Sequence, residues 1–197
     1  MKQQQLCSGL VLHYGGRALS LLSPEEGRVE KIWYTGRNQS PLHPGSFISY
    51  YADCSVTSSR TPLEKLDLEK SASHLGVQDI YLLHALLEVC YYFIPVGSEA
   101  KDAFYFLHEL FEKFSFFPLP AQKRQVVCKL LALLAVYPDE SAMYALVHDL
   151  TSMPIDNLIK GPIDLKSEKR MNIWLAWCQQ VHPKGAFFKA LPYLVEK

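Results

Sequence analysis

The sequence has no net charge, with 20 Lys and Arg set against 20 Asp and Glu. That balance excludes a protein held on nucleic acid or on a membrane by bulk positive charge. Cysteine is sparse and scattered. Cys7, Cys54, Cys90, Cys128 and Cys178 are odd in number and form no CxxC pair. A disulfide framework and a zinc knuckle both need tighter spacing, so neither is expected. Cys90, Cys128 and Cys178 fall inside apolar stretches with helical spacing and read as buried thiols suited to a reducing compartment. No uncharged apolar run reaches the ~18–20 residues that span a bilayer. The longest candidate, residues 126–137, is shorter and contains Lys129. The start, Met1-Lys2-Gln3-Gln4-Gln5, leads into a short apolar run broken at His13, without the apolar region and cleavage site of a signal peptide. Together these absences predict a soluble, cytoplasmic chain with no membrane partner.

Catalytic signatures are missing as well. There is no GxGxxG, no GxxxxGK[ST], no HExxH, no GxSxG and no EF-hand loop. Gly15-Gly16 sits in a hairpin context without the helix N-terminus that a phosphate site uses. His84 and Glu88 are four apart, as are His108 and Glu112, but metal or acid–base chemistry needs such pairs to converge with further groups. Glu25-Glu26 are adjacent in a tight turn, where their side chains diverge. Cys128 beside Lys129 lies in a Leu-rich stretch and reads as core rather than as an activated thiol. The expectation is a non-enzymatic protein with no cofactor and no metal.

What is present is a chain of two textures. Residues 6–60 read as β. A Leu/Val run over 6–14 stops at Gly15-Gly16, a pair that permits the positive φ of a hairpin turn. A second run covers 17–23. Ser23-Pro24-Glu25-Glu26-Gly27 is a turn, with Pro presetting φ and Gly taking the left-handed exit. Runs at 28–35 and 46–56 follow, separated by a Pro-containing loop. Sequential strands with tight turns predict a small antiparallel barrel. At Thr61-Pro62-Leu63-Glu64 a capping threonine, a proline and a glutamate form a helix-start signature, so a helix is expected over 61–76 and the module boundary falls there. Further helices are expected over 77–94, from Ser98 through the Phe104, Leu107, Phe111 and Phe114 stripe, and over 121–137 and 140–150. A sixth carries Met171, Trp174, Leu175 and Cys178, and a short last one Phe187, Phe188 and Leu191. Residues 151–165, with Pro154, Gly161 and Pro162, read as loop. The fold class is therefore α+β, an OB-like antiparallel barrel over 1–60 followed by a helical bundle over 61–197.

Charge follows these textures. Residues 1–62 carry +2, residues 63–122 carry −5 and residues 123–197 carry +3. Arg17, Arg28, Lys31 and Arg37 lie on or between the β runs, with Trp33 and Tyr34 among them. Cations neutralise phosphates and aromatic rings offer platforms for unpaired bases, a combination that OB-like barrels use. Lys123, Arg124 and Lys129 flank a helix bearing Val127, Leu130 and Leu131. Positions 123, 127, 130 and 131 share one helical face, a plausible acceptor for an acidic peptide with an apolar tip.

The order of motifs resembles the RecO family of bacterial recombination mediators. The resemblance runs through Gly9-Leu10-Val11-Leu12-His13-Tyr14-Gly15, then Leu19-Ser20-Leu21-Leu22-Ser23-Pro24-Glu25-Glu26-Gly27-Arg28-Val29, then Tyr34-Thr35-Gly36-Arg37. These are similar to the family's opening hairpin, its acidic turn and its following Gly-Ala-Arg element. Residues 44–51 sit where the family has its next strand, 126–138 resemble its Leu-rich helix, and 187–194 its terminal helix. The loop after Arg37 is neutral here, Asn38-Gln39-Ser40-Pro41, the chain is short, and the cysteine-rich zinc element is absent. The resemblance implies an N-terminal OB-fold and a helical domain. It implies binding of single- and double-stranded DNA, strand annealing, and work with RecR and the C-terminal tail of the single-stranded DNA-binding protein SSB to load RecA, without enzymatic activity. Arg17, Arg28, Lys31, Trp33, Tyr34 and Arg37 are then the DNA-binding set, and Lys123, Arg124, Val127, Lys129, Leu130 and Leu131 the set that receives the SSB tail. The reading from a different class is a protein-interaction adaptor on a degenerate OB scaffold that does not bind DNA.

Overall fold

A computed structural model describes residues 4–15, 17–33, 42–53, 60–70, 79–113, 119–183 and 185–195. The fold is α+β, with a β-sheet first and helices after it. Strands β1 (Gln4–Gly15), β2 (Ala18–Ser23), β3 (Gly27–Ile32), β4 (Phe47–Asp53), β5 (Arg60–Pro62) and β6 (Glu64–Lys70) form one sheet in the order β5-β3-β2-β1-β4-β6. Five of these strands are antiparallel to their neighbours, and β5 adds to β3 in parallel. Helices α1 (Ile80–Phe93), α2 (Lys101–Lys113), α3 (Pro120–Leu133), α4 (Ser141–Ser152), α5 (Ile155–Lys160) and α6 (Leu165–Val181) follow, then two 3-10 turns at Gly185–Phe187 and Leu191–Tyr193. The chain divides into two compact units, Met1–His74 with Cys90–Tyr105, and Leu75–Val89 with Phe106–Lys197. Among the described residues no helix is long and apolar enough to cross a membrane.

In the first unit β1 is the organising strand. It pairs with β4 through residues 4–10 and with β2 through residues 10–15, and the β2 register shifts between Val11 and His13. A bulge of this kind bends a strand and raises its twist, which lets one strand serve two neighbours. Alternation then sorts the side chains. Cys7, Val11, Leu19, Leu21, Ile48 and Tyr50 face one side and pack with Trp33, Leu42 and Leu63 into one cluster. Gly9 faces the same cluster, where an added Cβ would meet the Tyr50 ring at 3.0 Å. The turn over residues 23–27 forms as its residues dictate. Ser23 Oγ accepts hydrogen bonds from the Glu25 and Glu26 backbone N–H groups at 3.3 and 3.4 Å, and Gly27 leaves the turn at φ +70°.

Residues 61–76, expected to begin the helical part, do not open with a helix. Residues 60–62 and 64–70 are strands, and 71–78 lie outside the described residues. The capping signature Thr61-Pro62-Leu63-Glu64 loses to β4, which offers β6 a ladder from Phe47 to Tyr51. Leu66 and Leu68, two apart, carry the period of a strand rather than that of a helix. Pro62, which lacks an N–H, is tolerated because β5 is a short outer strand. Leu63 still donates its N–H to Ile32 at 2.9 Å.

The second unit is built around α3. Val126, Val127, Cys128, Leu130 and Leu131 are all fully buried, because α4 and α6 both pack against α3. Trp174 of α6 is buried too, and its Nε1 donates to the Val136 carbonyl at 2.8 Å. Asp164 caps α6, accepting from the N–H groups of Lys166 and Ser167 at 2.9 and 3.0 Å. The expected loop over 151–165 contains a short helix, α5. Its bracketing residues Pro154 and Gly161 hid it from a reading by breaker residues. The last expected helix is instead the two 3-10 turns.

Candidate nucleic-acid interface and peptide groove

The six residues nominated on the sheet have separate fates. Arg28 of β3 points away from the central cluster and onto the segment Cys90–Tyr105 of the same unit. Its Nη1 donates to the Tyr91 carbonyl and, at 2.9 Å, to the Ile94 carbonyl. Its Nη2 pairs with Glu30 at 3.1 Å, and the guanidinium lies 4.3 Å from the Tyr91 ring centroid. Lys31 is 6 % exposed, and its Nζ bonds Glu26 Oε1 at 2.7 Å. The other oxygen of that carboxylate accepts the Tyr50 hydroxyl at 2.6 Å. Burial, and next the Glu26 carboxylate, hold the Tyr50 phenol protonated well beyond the usual tyrosine range. Trp33 is 5 % exposed within the central cluster, so its ring faces are not presented to solvent. Arg17 is exposed at the turn between β1 and β2, and its carbonyl accepts the Trp33 N–H at 2.9 Å. Tyr34 and Arg37 lie outside the described residues.

The expectation that Arg28, Lys31 and Trp33 share an open DNA-binding face is therefore corrected. The two cations are neutralised within the fold and the indole belongs to the core. The face of β2 and β3 opposite the central cluster is covered as well. Ser20 and Leu22 are buried there. At the edge of β3, Ser98 receives the Arg28 backbone N–H at 3.2 Å, and Gly97 donates to the Arg28 carbonyl at 2.7 Å. Phe47 meets Phe104 edge-to-face at 5.9 Å, and His13 meets Tyr91 at 5.4 Å. Cys90 lies in this covering layer, and burial pushes its thiol up to about 12.

The helical set receives a parallel correction. Val127, Leu130 and Leu131 are fully buried, so α3 offers no apolar slot. Arg124 is 1 % exposed, pairs with Glu168 of α6, and donates through Nη1 to the Leu194 carbonyl at 3.4 Å. Lys129 Nζ donates to the carbonyls of Leu150, Thr151 and Met153 at 2.8, 3.1 and 2.6 Å. A lysine there closes the end of α4, where unpaired carbonyls and the negative end of the helix favour a cation. Lys123 pairs with Asp79 at 3.0 Å. These cations hold helices together rather than rim an open surface.

Neither a scan against models of known protein families nor a search of curated proteins finds a match for this chain.

The second unit carries an open groove of about 620 Å³ lined by Ile80, Tyr81, His84, Lys189, Ala190 and Tyr193. Its aromatic wall is the pair Tyr81 and Tyr193, with ring centroids 4.9 Å apart. Both rings are at least half exposed, so apolar surface is presented to whatever enters. Glu88, one turn along α1 from His84, ties the segment that supplies Lys189 and Ala190 to α1. Its carboxylate accepts the backbone N–H groups of Lys189, Ala190 and Leu191 at 2.9–3.3 Å. The His84 and Glu88 spacing was visible in sequence. The partner of Glu88, about a hundred residues away, was not. Among the described residues no group of three or more His, Cys, Asp or Glu is placed to hold a metal ion.

Proposed function

We propose that this chain is a non-enzymatic DNA recombination mediator of the RecO kind, with an OB-like barrel as its first unit and a peptide-receiving helical unit as its second. One observation carries the reading. The two outer strands of the sheet, β5 and β6, are consecutive pieces of segment 60–70. Its start pairs with β3 at Glu30 to Ile32, and its continuation pairs with β4 from Tyr51 to Phe47. A single segment bonded to both β3 and β4 supports the barrel that the resemblance implies, and Lys65, at the register shift opposite Tyr50 and Tyr51, adds local twist at φ +55°.

In this proposal the barrel meets DNA through its β1–β2 turn, where Arg17 is exposed, together with Arg37 and Tyr34. The loops of OB barrels, as well as their faces, take oligonucleotides. Reception of the SSB tail moves from α3 to the groove of Tyr81 and Tyr193, where Lys189 supplies a cation beside apolar walls. Charge speeds such an encounter and the buried side chain anchors it. RecR remains the second protein partner and RecA loading the outcome. The test is annealing of complementary oligonucleotides coated with SSB, followed by fluorescence quenching. The intact protein accelerates annealing, and an annealing rate equal to that of SSB-coated strands alone would sink the proposal.

The adaptor reading is favoured by a different observation, the internal engagement of Arg28, Lys31 and Arg124 by carboxylates and of Lys129 by backbone carbonyls. A chain that binds the acidic tail peptide but no oligonucleotide at low salt fits that reading instead.

A further inference from the structure

Three cations without an ion pair among the described residues mark one surface that neither nominated set includes. Helix α6 buries Met171, Trp174, Leu175 and Cys178 on one side. Taken at 100° per residue, Lys166, Lys169, Arg170, Ile173, Trp177 and Val181 fall on the neighbouring side, within about 120° of arc. Lys166 and Lys169 are exposed, Ile173 is 59 % exposed and Val181 49 %, while Arg170 and Trp177 are half-buried. Lys166 sits in the first turn, next to the positive end of the helix, where a basic side chain weakens rather than supports it, and Lys169 and Arg170 follow in the second turn. Among the described residues none of the three is in an ion pair. Glu168 turns away to Arg124, and Asp164 is occupied as the helix cap by the N–H groups of Lys166 and Ser167 and by the Ser167 hydroxyl.

We infer that this stripe of α6 is a contact surface for single-stranded nucleic acid, with Lys166, Lys169 and Arg170 on successive phosphates and Ile173 and Trp177 against base faces. The inference rests on the DNA-binding reading above and gives it a location in the second unit. Charge complementarity selects a polyanion, since three cations stand without a carboxylate among them. The apolar residues along the same line select a single strand, because base faces are stacked out of reach in a duplex and available in a single strand. A lipid surface fits less well. The apolar side of α6 is core, and its exposed apolar residues, Leu165, Ile173 and Val181 with part of Trp177, are spread along the helix among cations rather than gathered into the broad apolar face that membrane-lying helices use.

The test uses the intact protein, a fluorescent 20-nucleotide oligo-dT and anisotropy titrations over a series of salt concentrations. Lys166→Gln/Lys169→Gln/Arg170→Gln keeps helix propensity while removing three charges. Its affinity at low salt falls about tenfold or more, and the slope of log K against log salt drops by about 2, since each phosphate contact on a single strand contributes ~0.7. Ile173→Ala weakens binding several-fold and leaves the salt slope unchanged, a split that general loss of structure would not produce. Unchanged affinity and slope in the triple variant, with the intact protein binding normally, overturns this inference and leaves the proposed function standing. No binding by the intact protein overturns both. Loss of binding to phosphatidylserine vesicles but not to oligo-dT would assign the stripe to lipid and overturn it as well.

Discussion

Two glycines in the first unit share a backbone conformation but not a setting, and a pair of substitutions separates strain from collision. Gly27 has φ +70° and Gly97 φ +84°. An alanine at either pays the left-handed penalty of about 1–2 kcal/mol, partly offset by about 0.4–1 kcal/mol from a less flexible unfolded chain. At Gly97 nothing lies within 4 Å of the added Cβ, so the expected loss is about 1 kcal/mol. At Gly27 the Cβ would sit 2.2 Å from the Ser98 carbonyl oxygen and 2.6 Å from its carbon, both backbone atoms. Relief requires the chain near Ser98 to retreat by about 1 Å, which breaks the Arg28 N–H bond to Ser98 and the Gly97 N–H bond to Arg28. At roughly 1 kcal/mol each, these bring the expected loss for Gly27→Ala to about 3–4 kcal/mol. Urea unfolding followed by circular dichroism measures both losses. Amide exchange at Arg28 and Gly97 adds a local readout, with protection lost in Gly27→Ala. If the two variants differ by less than about 1 kcal/mol, the close approach of Ser98 to the turn is not what fixes glycine at position 27.

Two further outcomes follow from the buried polar groups. Lys129→Met leaves the carbonyls of Leu150, Thr151 and Met153 without their donor, and after the refund of lysine desolvation the expected loss is about 2–4 kcal/mol in urea unfolding; a loss under ~0.5 kcal/mol would mean the cation does not stabilise the end of α4. Tyr50→Phe removes the hydroxyl bound to Glu26, costing about 2 kcal/mol at neutral pH. The folded phenol stays protonated above its unfolded value near 10, so this stability is complete below pH 10 and is lost as pH rises past it. The wild type therefore loses stability between pH 10 and 11.5 more steeply than Tyr50→Phe, and parallel curves would refute the assignment.

Elements with a local cause were legible in the sequence. The Gly15-Gly16 and Ser23 to Gly27 turns placed the first three strands, and Pro120 and Pro138 bracketed α3. The segment after Thr61 was misread because its capping signature is local, whereas the ladder that overrules it is offered by β4, a dozen and more residues upstream. Charge was the least legible property. A lysine in a sequence is presumed wet, yet Arg28 finds carbonyls 63 and 66 residues away and Lys129 finds them 21 to 24 residues away. Composition cannot reveal such partners. The sorting of α6 into a buried side and a basic side was available from spacing alone, but only burial shows that the basic side is left outward.

The double duty of segment 60–70 has a consequence for synthesis. A growing chain that has delivered β1 to β4 holds two unsatisfied rows of backbone donors and acceptors, one on β3 and one on β4. The β4 row and the Glu30 to Ile32 part of the β3 row are relieved by the same late segment, while the Arg28 backbone waits for Gly97 and Ser98. Until then each row is a template for a neighbouring nascent chain. Truncations ending before Arg60 should therefore accumulate in inclusion bodies, while the full chain should not.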